Sequence, residues 1–271
     1  DKVCLMNGKM PKKSGEIAVD RMYADNNELK VGDTVKSRKK TFRITGLVAL
    51  SDYSALFQNN NDTMFDAVKF GVAIVTDKDF EALNQVKVQY NYAWIYDKKP
   101  ATEKKEKKMA EDLMEDMADV VTIESFVPQY QNQSIHFTGD DMGSDRAMIV
   151  MLLYIVMAIL AFAFGITISN TIRKEAGVIG TLRASGYTRR ELILHYMALP
   201  VVITLIGALV GNILGYTVLK QVCAGMYYGS YSLPTYKTIW NAEAFLMTTV
   251  VPVIIMFVVN YAVLHHKLKL S

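Results

Sequence analysis

The sequence predicts an α+β domain over residues 1–146, followed by an all-α membrane domain of three transmembrane helices over residues 147–271. Three observations lead there. A mean hydropathy of +0.14 beside 21% charged residues is the average of two unlike halves. Residues 1–146 hold 21 Lys/Arg and 24 Asp/Glu, whereas residues 147–271 hold only 9 and 3. The second half also contains three apolar runs without Asp, Glu, Lys or Arg: Ala147–Ser169, Leu192–Leu219 and Ala244–Leu264, of 23, 28 and 21 residues. A hydrocarbon core of roughly 30 Å takes about 20 helical residues, so each run can span. This pattern excludes both a wholly soluble globule and a disordered chain.

In the first half, Gly15–Val19 reads as a short strand after the turn-forming Pro11–Ser14, and Arg21–Leu29 as a helix. Val31–Val35 and Thr41–Val48 read as a strand pair, with Phe42, Ile44 and Gly46 alternating on one face. Phe70–Thr76, Val88–Tyr96 and Val120–Phe126 are further expected strands. Ala101–Ala118 is an amphipathic helix: Met109, Leu113 and Met117 recur every fourth residue, opposite the charge run Lys104–Lys108. Short, mixed elements of this kind make an α+β domain rather than a sandwich. Asn59–Asn61 reads as a loop tip.

Orientation of the second half follows from its short loops. Between the first two spans lie Arg173, Lys174, Arg183, Arg189 and Arg190, and His265, His266, Lys267 and Lys269 follow the third. The loop between the second and third spans has few charges and carries Tyr227, Tyr228, Tyr231, Tyr236 and Trp240. Basic loops stay cytoplasmic and aromatics collect at the interface. The Arg-rich loop and the C-terminus are therefore expected inside, with residues 1–146 extracytoplasmic in a multi-pass cell-membrane protein. An exported domain ahead of an out-to-in helix needs a segment upstream, so the chain reads as a piece of a longer one that begins before Asp1. On this topology Cys4 and Cys223 share a side, and a disulfide between them is left open.

Within the second span, Gly207, Gly211 and Gly215 recur at four-residue spacing and share a helix face, the pattern of close helix packing or of a dimerisation face. Pro200 and Pro252 are expected to kink their helices. Asn212 and Asn260 are read as interhelical hydrogen-bond formers. The absence of Asp, Glu, Lys and Arg from the spans argues against a proton- or ion-coupled carrier.

The loop from Asn170 to Glu191 has its own internal logic. Ile172, Ile179 and Leu182 share a helical face, Gly186 fits a left-handed helix stop, and Thr188-x-x-Glu191 is a capping box that starts the next helix. The expectation is a helix, a tight turn and a second helix at the membrane surface. The run Val178-Ile179-Gly180-Thr181-Leu182-Arg183-Ala184-Ser185-Gly186, followed by Tyr187 and Arg189-Arg190-Glu191, resembles the cytoplasmic motif of the FtsX-like ABC transporter permeases. That resemblance covers about residues 147–271. Val178 stands where the family usually has Glu, and Glu175 lies one turn earlier. Gly15-Glu16-Ile17, Leu29-x-Val31-Gly32-Asp33-Thr34 and Phe42-x-Ile44-x-Gly46 are similar to the MacB-like extracytoplasmic core of the same family, N-terminally incomplete here.

The resemblance implies a permease subunit, or its C-terminal half, of a bacterial ABC transporter. It implies that the loop docks on a separate cytoplasmic ABC ATPase through Glu175, Arg183, Gly186, Tyr187 and Arg189. It also implies mechanotransmission to the outer domain, with a second permease copy or half and the lipid bilayer as the other partners. The alternative is a membrane-anchored extracellular receptor or scaffold without an ATPase.

No resident chemistry is expected. The chain has no G-x-x-x-x-G-K-[ST] loop and no G-x-S-x-G elbow, and His136 with Asp140, Asp141 and Asp145 does not match a calcium loop. The reading therefore assigns no catalytic residue, no cofactor, no metal and no nucleic-acid partner.

Overall fold

The computed structural model describes residues 3–37, 40–83 and 90–270. The chain divides into two compact units. The first comprises Asp1–Met142 with Ala224–Lys237, and the second Gly143–Cys223 with Thr238–Ser271.

The first unit is built on a mixed sheet. Strands β1 (Cys4–Gly8) and β2 (Glu16–Asp20) precede helix α1 (Arg21–Asn26), and β3 (Thr34–Ser37) leads into the long β4 (Lys40–Ala49). After β5 (Ala73–Ile74) come α2 (Asp77–Ala82) and α3 (Glu103–Ala118). The strand order is β1-β4-β2-β5, with β3 also paired to β4. β4 runs parallel to β2 and antiparallel to β1 and β3. Parallel strands tend to be covered on both faces. Ile17, Ala18, Val19 and Asp20 of β2 are accordingly all buried, and Ile17 and Val19 pack with Phe42, Ile44 and Leu47 of β4. β1 approaches β4 so closely that a Cβ on Gly8, whose φ is +77°, would lie 2.3 Å from the Thr45 carbonyl oxygen. Glycine is needed there on both counts.

The expected strand at Gly15–Val19, the helix near Arg21–Leu29, the β3–β4 pair and the α3 helix are all present. Other expectations are corrected. Phe70–Thr76 contributes only the two residues of β5. Val88 and Gln89 lie outside the described residues, and Tyr90–Tyr96 is not a strand. Nor is Val120–Phe126: the Val120 and Val121 amides donate to the Met117 carbonyl and close α3 instead of entering a ladder. Trp94 and Phe126 stack at 4.9 Å, so the two irregular segments meet by ring contact rather than by strand pairing. Met109 of α3 is exposed, and the covered face runs through Ala110, Leu113 and Met117. β1 was not anticipated.

Two buried carboxylates organise this unit. Asp79 opens α2 and accepts from Ser14 Oγ (2.5 Å), the Gly15 amide (2.8 Å) and the Lys40 ammonium. These donors, Lys40 first, hold its carboxyl well below the usual range. Asp20 caps α1 by accepting from the Met22 and Tyr23 amides at 2.8 and 3.1 Å. Burial pushes its carboxyl upward, against the Ser232 hydroxyl that donates to it.

That hydroxyl belongs to the segment 224–237, which was expected only as an interfacial loop. Tyr231 is buried against Ala55 and Phe57, with Phe65 and Phe137 beside it. Arg21 donates to the Tyr228 and Tyr231 carbonyls at 2.9 and 2.6 Å, and the Ser232 amide donates to the Ser54 carbonyl at 2.9 Å. Tyr231 Oη also donates to Asp141 at 2.8 Å.

The second unit carries the long apolar helices. Helix α4 (Gln133–Lys174) begins in residues of the first unit and is followed by the short α5 (Ala176–Ala184). Helix α6 (Arg189–Leu214), a π-helical turn (Gly215–Leu219) and α7 (Lys220–Ser230) form one continuous helix. After α8 (Ala242–Phe245) and a second π turn (Leu246–Val250) comes α9 (Val251–Leu270). Three helices, Gln133–Lys174, Arg189–Ser230 and Ala242–Leu268, are long and apolar enough to cross a membrane. The first two have 42 residues each, about twice what a bilayer core requires. The stretch carrying Asp140, Asp141 and Asp145 is thus already helical.

α6 continues through Pro200, whose carbonyl accepts from Thr204 Oγ1 at 2.7 Å. Pro252 lies inside the continuous helix Ala242–Leu268, just after the π turn, where its missing amide removes a regular helical hydrogen bond. Asn212 reaches across to Thr249 Oγ1 at 2.8 Å, as expected of an interhelical amide. Asn260 does not: its amide donates to Met256 of its own helix, and it is fully buried. Cys4 and Cys223 are free thiols.

Candidate functional site

The segment 170–191 is a folded turn rather than a loop. α4 ends at Lys174, and Glu175 breaks the helix with φ −94° and ψ 10° before α5 begins. α5 ends in a Schellman motif. The Gly186 amide donates to Arg183 O at 3.1 Å and the Tyr187 amide to Leu182 O at 3.0 Å, with Gly186 at φ +97°. α6 then opens with a complete capping box: Glu191 N donates to Thr188 Oγ1, and Glu191 Oε2 accepts from Thr188 N at 2.7 Å. Helix stop, turn and restart each meet their backbone groups locally, so the turn has a defined shape.

An apolar base fixes this turn to the long helices. Ile168 and Ile172 of α4, Ile179 of α5, Leu192, Ile193 and Met197 of α6, and Leu264 and Leu268 of α9 form one buried cluster. Leu182 packs at its edge, so the predicted Ile172–Ile179–Leu182 face is present. Burying side chains of this size stabilises by about 1.5–3 kcal/mol each.

The five residues expected to dock a partner divide into two groups. Glu175 and Arg189 are held within the chain. Tyr196 Oη donates to Glu175 Oε2, which ties the helix break to α6. The Arg189 guanidinium donates to the His265 carbonyl and ties the start of α6 to α9. Arg183, Gly186 and Tyr187 are exposed, Tyr187 by 52%. Arg183 makes no ion pair among the described residues. Val178, at the position where the family usually has Glu, is 57% exposed on the same short helix. The turn therefore leaves Val178, Arg183 and Tyr187 exposed, while Glu175 and Arg189 are tied to α6 and α9.

Sequence reasoning missed Tyr196 and the His265 carbonyl. Both contacts join positions far apart in sequence, 21 and 76 residues, where no spacing rule applies.

The glycine face of the second span is open within this chain. A Cβ added at Gly207, Gly211 or Gly215 would meet nothing within 4 Å. The glycine that does permit a close helix crossing is Gly165 of α4, where a Cβ would sit 3.3 Å from Val263 of α9. Among the described residues no group of three or more His, Cys, Asp or Glu could hold a metal ion.

Residues 150–268 match the family model described as the FtsX-like permease C-terminal domain. Comparison with curated proteins returns no match.

Proposed function

We propose, for a chain whose residues 150–268 match the FtsX-like permease C-terminal domain, the role of an ABC transporter permease that converts the work of a partner ATPase into movement of an outer domain. In this account the ATPase docks on the outward face of the turn at Arg183, Gly186 and Tyr187. Glu175 and Arg189 transmit the displacement by tying that face to α6 and α9. Residues 1–146 lie on the extracytoplasmic side as a MacB-like domain, and a second permease copy or half completes the transporter. The outcome at the outer face is export, extraction of a membrane-held substrate, or signalling.

The observation that carries the reading is the construction of the turn. A Schellman stop and a capping box stand back to back over a buried apolar base, so a push on Arg183 is not absorbed by a floppy loop. The second observation is continuity. The helix that starts at the capping box runs to Ser230, and the next residues, Tyr231 and Ser232, are buried in the first unit. The uncharged spans fit a lever better than a polar conduit.

The test is affinity purification in detergent of the full-length parent protein, wild type against Glu175→Ala/Arg183→Ala, with co-purifying proteins identified by mass spectrometry. An ATP-binding subunit present with wild type and lost with the double variant supports the reading. An intact, folded protein with no ATPase in either sample overturns it.

A further inference from the structure

We infer that the groove between α4 and α9 is a binding site for one anionic phospholipid in the leaflet at the Lys267 end of the helices. The groove has a volume of about 300 Å³, within the range of sites that hold small ligands. Its apolar length is lined by Phe162 and Ile166 of α4 and by Val259 and Val263 of α9. Phe162 and Ile166 are 74% and 63% exposed. Gly165 forms part of the floor, where the lack of a side chain brings α4 against Val263.

The other end of the groove is polar. α4 and α9 run in the same direction here, since Gly165 faces Val263 while Ile168 and Ile172 cluster with Leu264 and Leu268. Ser169, Asn170 and Lys267 therefore close one end together. Lys267 is half-buried and makes no ion pair among the described residues. Arg173 and Lys174, in the last turn of α4, add positive charge just beyond. An apolar trough ending in a hydroxyl, an amide and a free ammonium is complementary to an acyl chain with an anionic phosphate head. Basic pockets between helices at a membrane surface bind anionic headgroups on this principle.

The proposal rests on the reading of these helices as membrane spans and needs no ATPase, so loss of ATPase coupling would leave it standing. It is tested on the full-length protein by native mass spectrometry, titrating phosphatidylglycerol and, separately, phosphatidylcholine with the same acyl chains. Wild type should retain one phosphatidylglycerol in preference to phosphatidylcholine. Lys267→Glu should weaken that binding by about fivefold or more, and Lys267→Arg should preserve it. Ile166→Trp, on an exposed position, should block both lipids by filling the trough, and it decides the matter if Lys267→Glu does not fold. Equal affinity for the two lipids, or phosphatidylglycerol binding unchanged in Lys267→Glu, overturns the proposal. So does disulfide cross-linking of Ile166→Cys between two copies that excludes lipid, because the occupant would then be protein.

Discussion

The Ser232 hydroxyl donates to the Asp20 carboxylate where both residues are fully buried. The bond joins the N-cap of α1 to the segment that follows α7, two places 212 residues apart in the chain. Asp20 thus satisfies three donors at once, two amides of α1 and the Ser232 hydroxyl. The segment 224–237 is consequently a structural part of the first unit, although it lies in sequence between two spans.

Ser232→Ala leaves a buried carboxylate oxygen without a donor, which costs about 1–3 kcal/mol. The variant should unfold at lower temperature or denaturant than wild type in detergent. An unchanged midpoint would show that the contact contributes nothing to holding the segment in place.

The two buried carboxylates predict opposite limbs in a pH profile of stability. Asp79 has a folded pKa depressed below the unfolded value of about 3.9. Its contribution is present above that value and is lost as pH falls through the folded pKa. Asp20 has a raised folded pKa, so its contribution is greatest below about pH 3.9 and declines as pH rises through the folded value. Asp79→Asn should therefore flatten the acid limb of the profile, and Asp20→Asn the limb above it. Unfolding midpoints measured from about pH 1 to pH 6 separate the two windows.

The turn should fail in a graded way. Thr188→Ala removes one cap and should cost about 1 kcal/mol locally. Gly186→Ala places a Cβ at a positive φ and costs about 1–2 kcal/mol. Hydrogen exchange should accelerate at Leu182–Leu192 in both variants and stay unchanged in the first unit. Exchange that accelerates throughout would mean that the turn is not an independently defined element.

Gly207 and Gly211 separate two uses of a glycine face. With nothing within 4 Å of an added Cβ, Gly211→Leu should leave the stability of the single chain within about 0.5 kcal/mol of wild type. If a second permease copy or half packs there, as we propose, the same variant should reduce chemical cross-linking of the assembled complex. Gly165→Leu should instead destabilise the chain itself, because Val263 already stands 3.3 Å from the Cβ position.

The three apolar helices, the capping box and the Gly186 stop were legible because each rests on local composition or short-range spacing. Thr188 and Glu191 are three residues apart, and a hydrogen bond at that distance follows from helix geometry. What lay hidden was long-range. Tyr196–Glu175, Arg189–His265 and Asp20–Ser232 join elements whose adjacency is decided by the whole fold. β1 escaped notice because five residues around Cys4–Gly8 show little alternation and pair only because β4 offers an edge. The reverse error, expecting a strand at Val120–Phe126, trusted β-branched composition where the Val120 and Val121 amides were needed to close α3.

Coupling requires that displacement of the turn reaches the first unit. Spin labels at Gln58→Cys and Lys108→Cys, both exposed in the first unit, with Cys4 and Cys223 replaced by Ser, would report its shape in the reconstituted complex by pulsed electron resonance. The predicted result is a distance distribution that shifts between the nucleotide-free and vanadate-trapped states, and no shift in Arg183→Ala. Identical distributions in both states, while the complex hydrolyses ATP normally, would contradict the coupling.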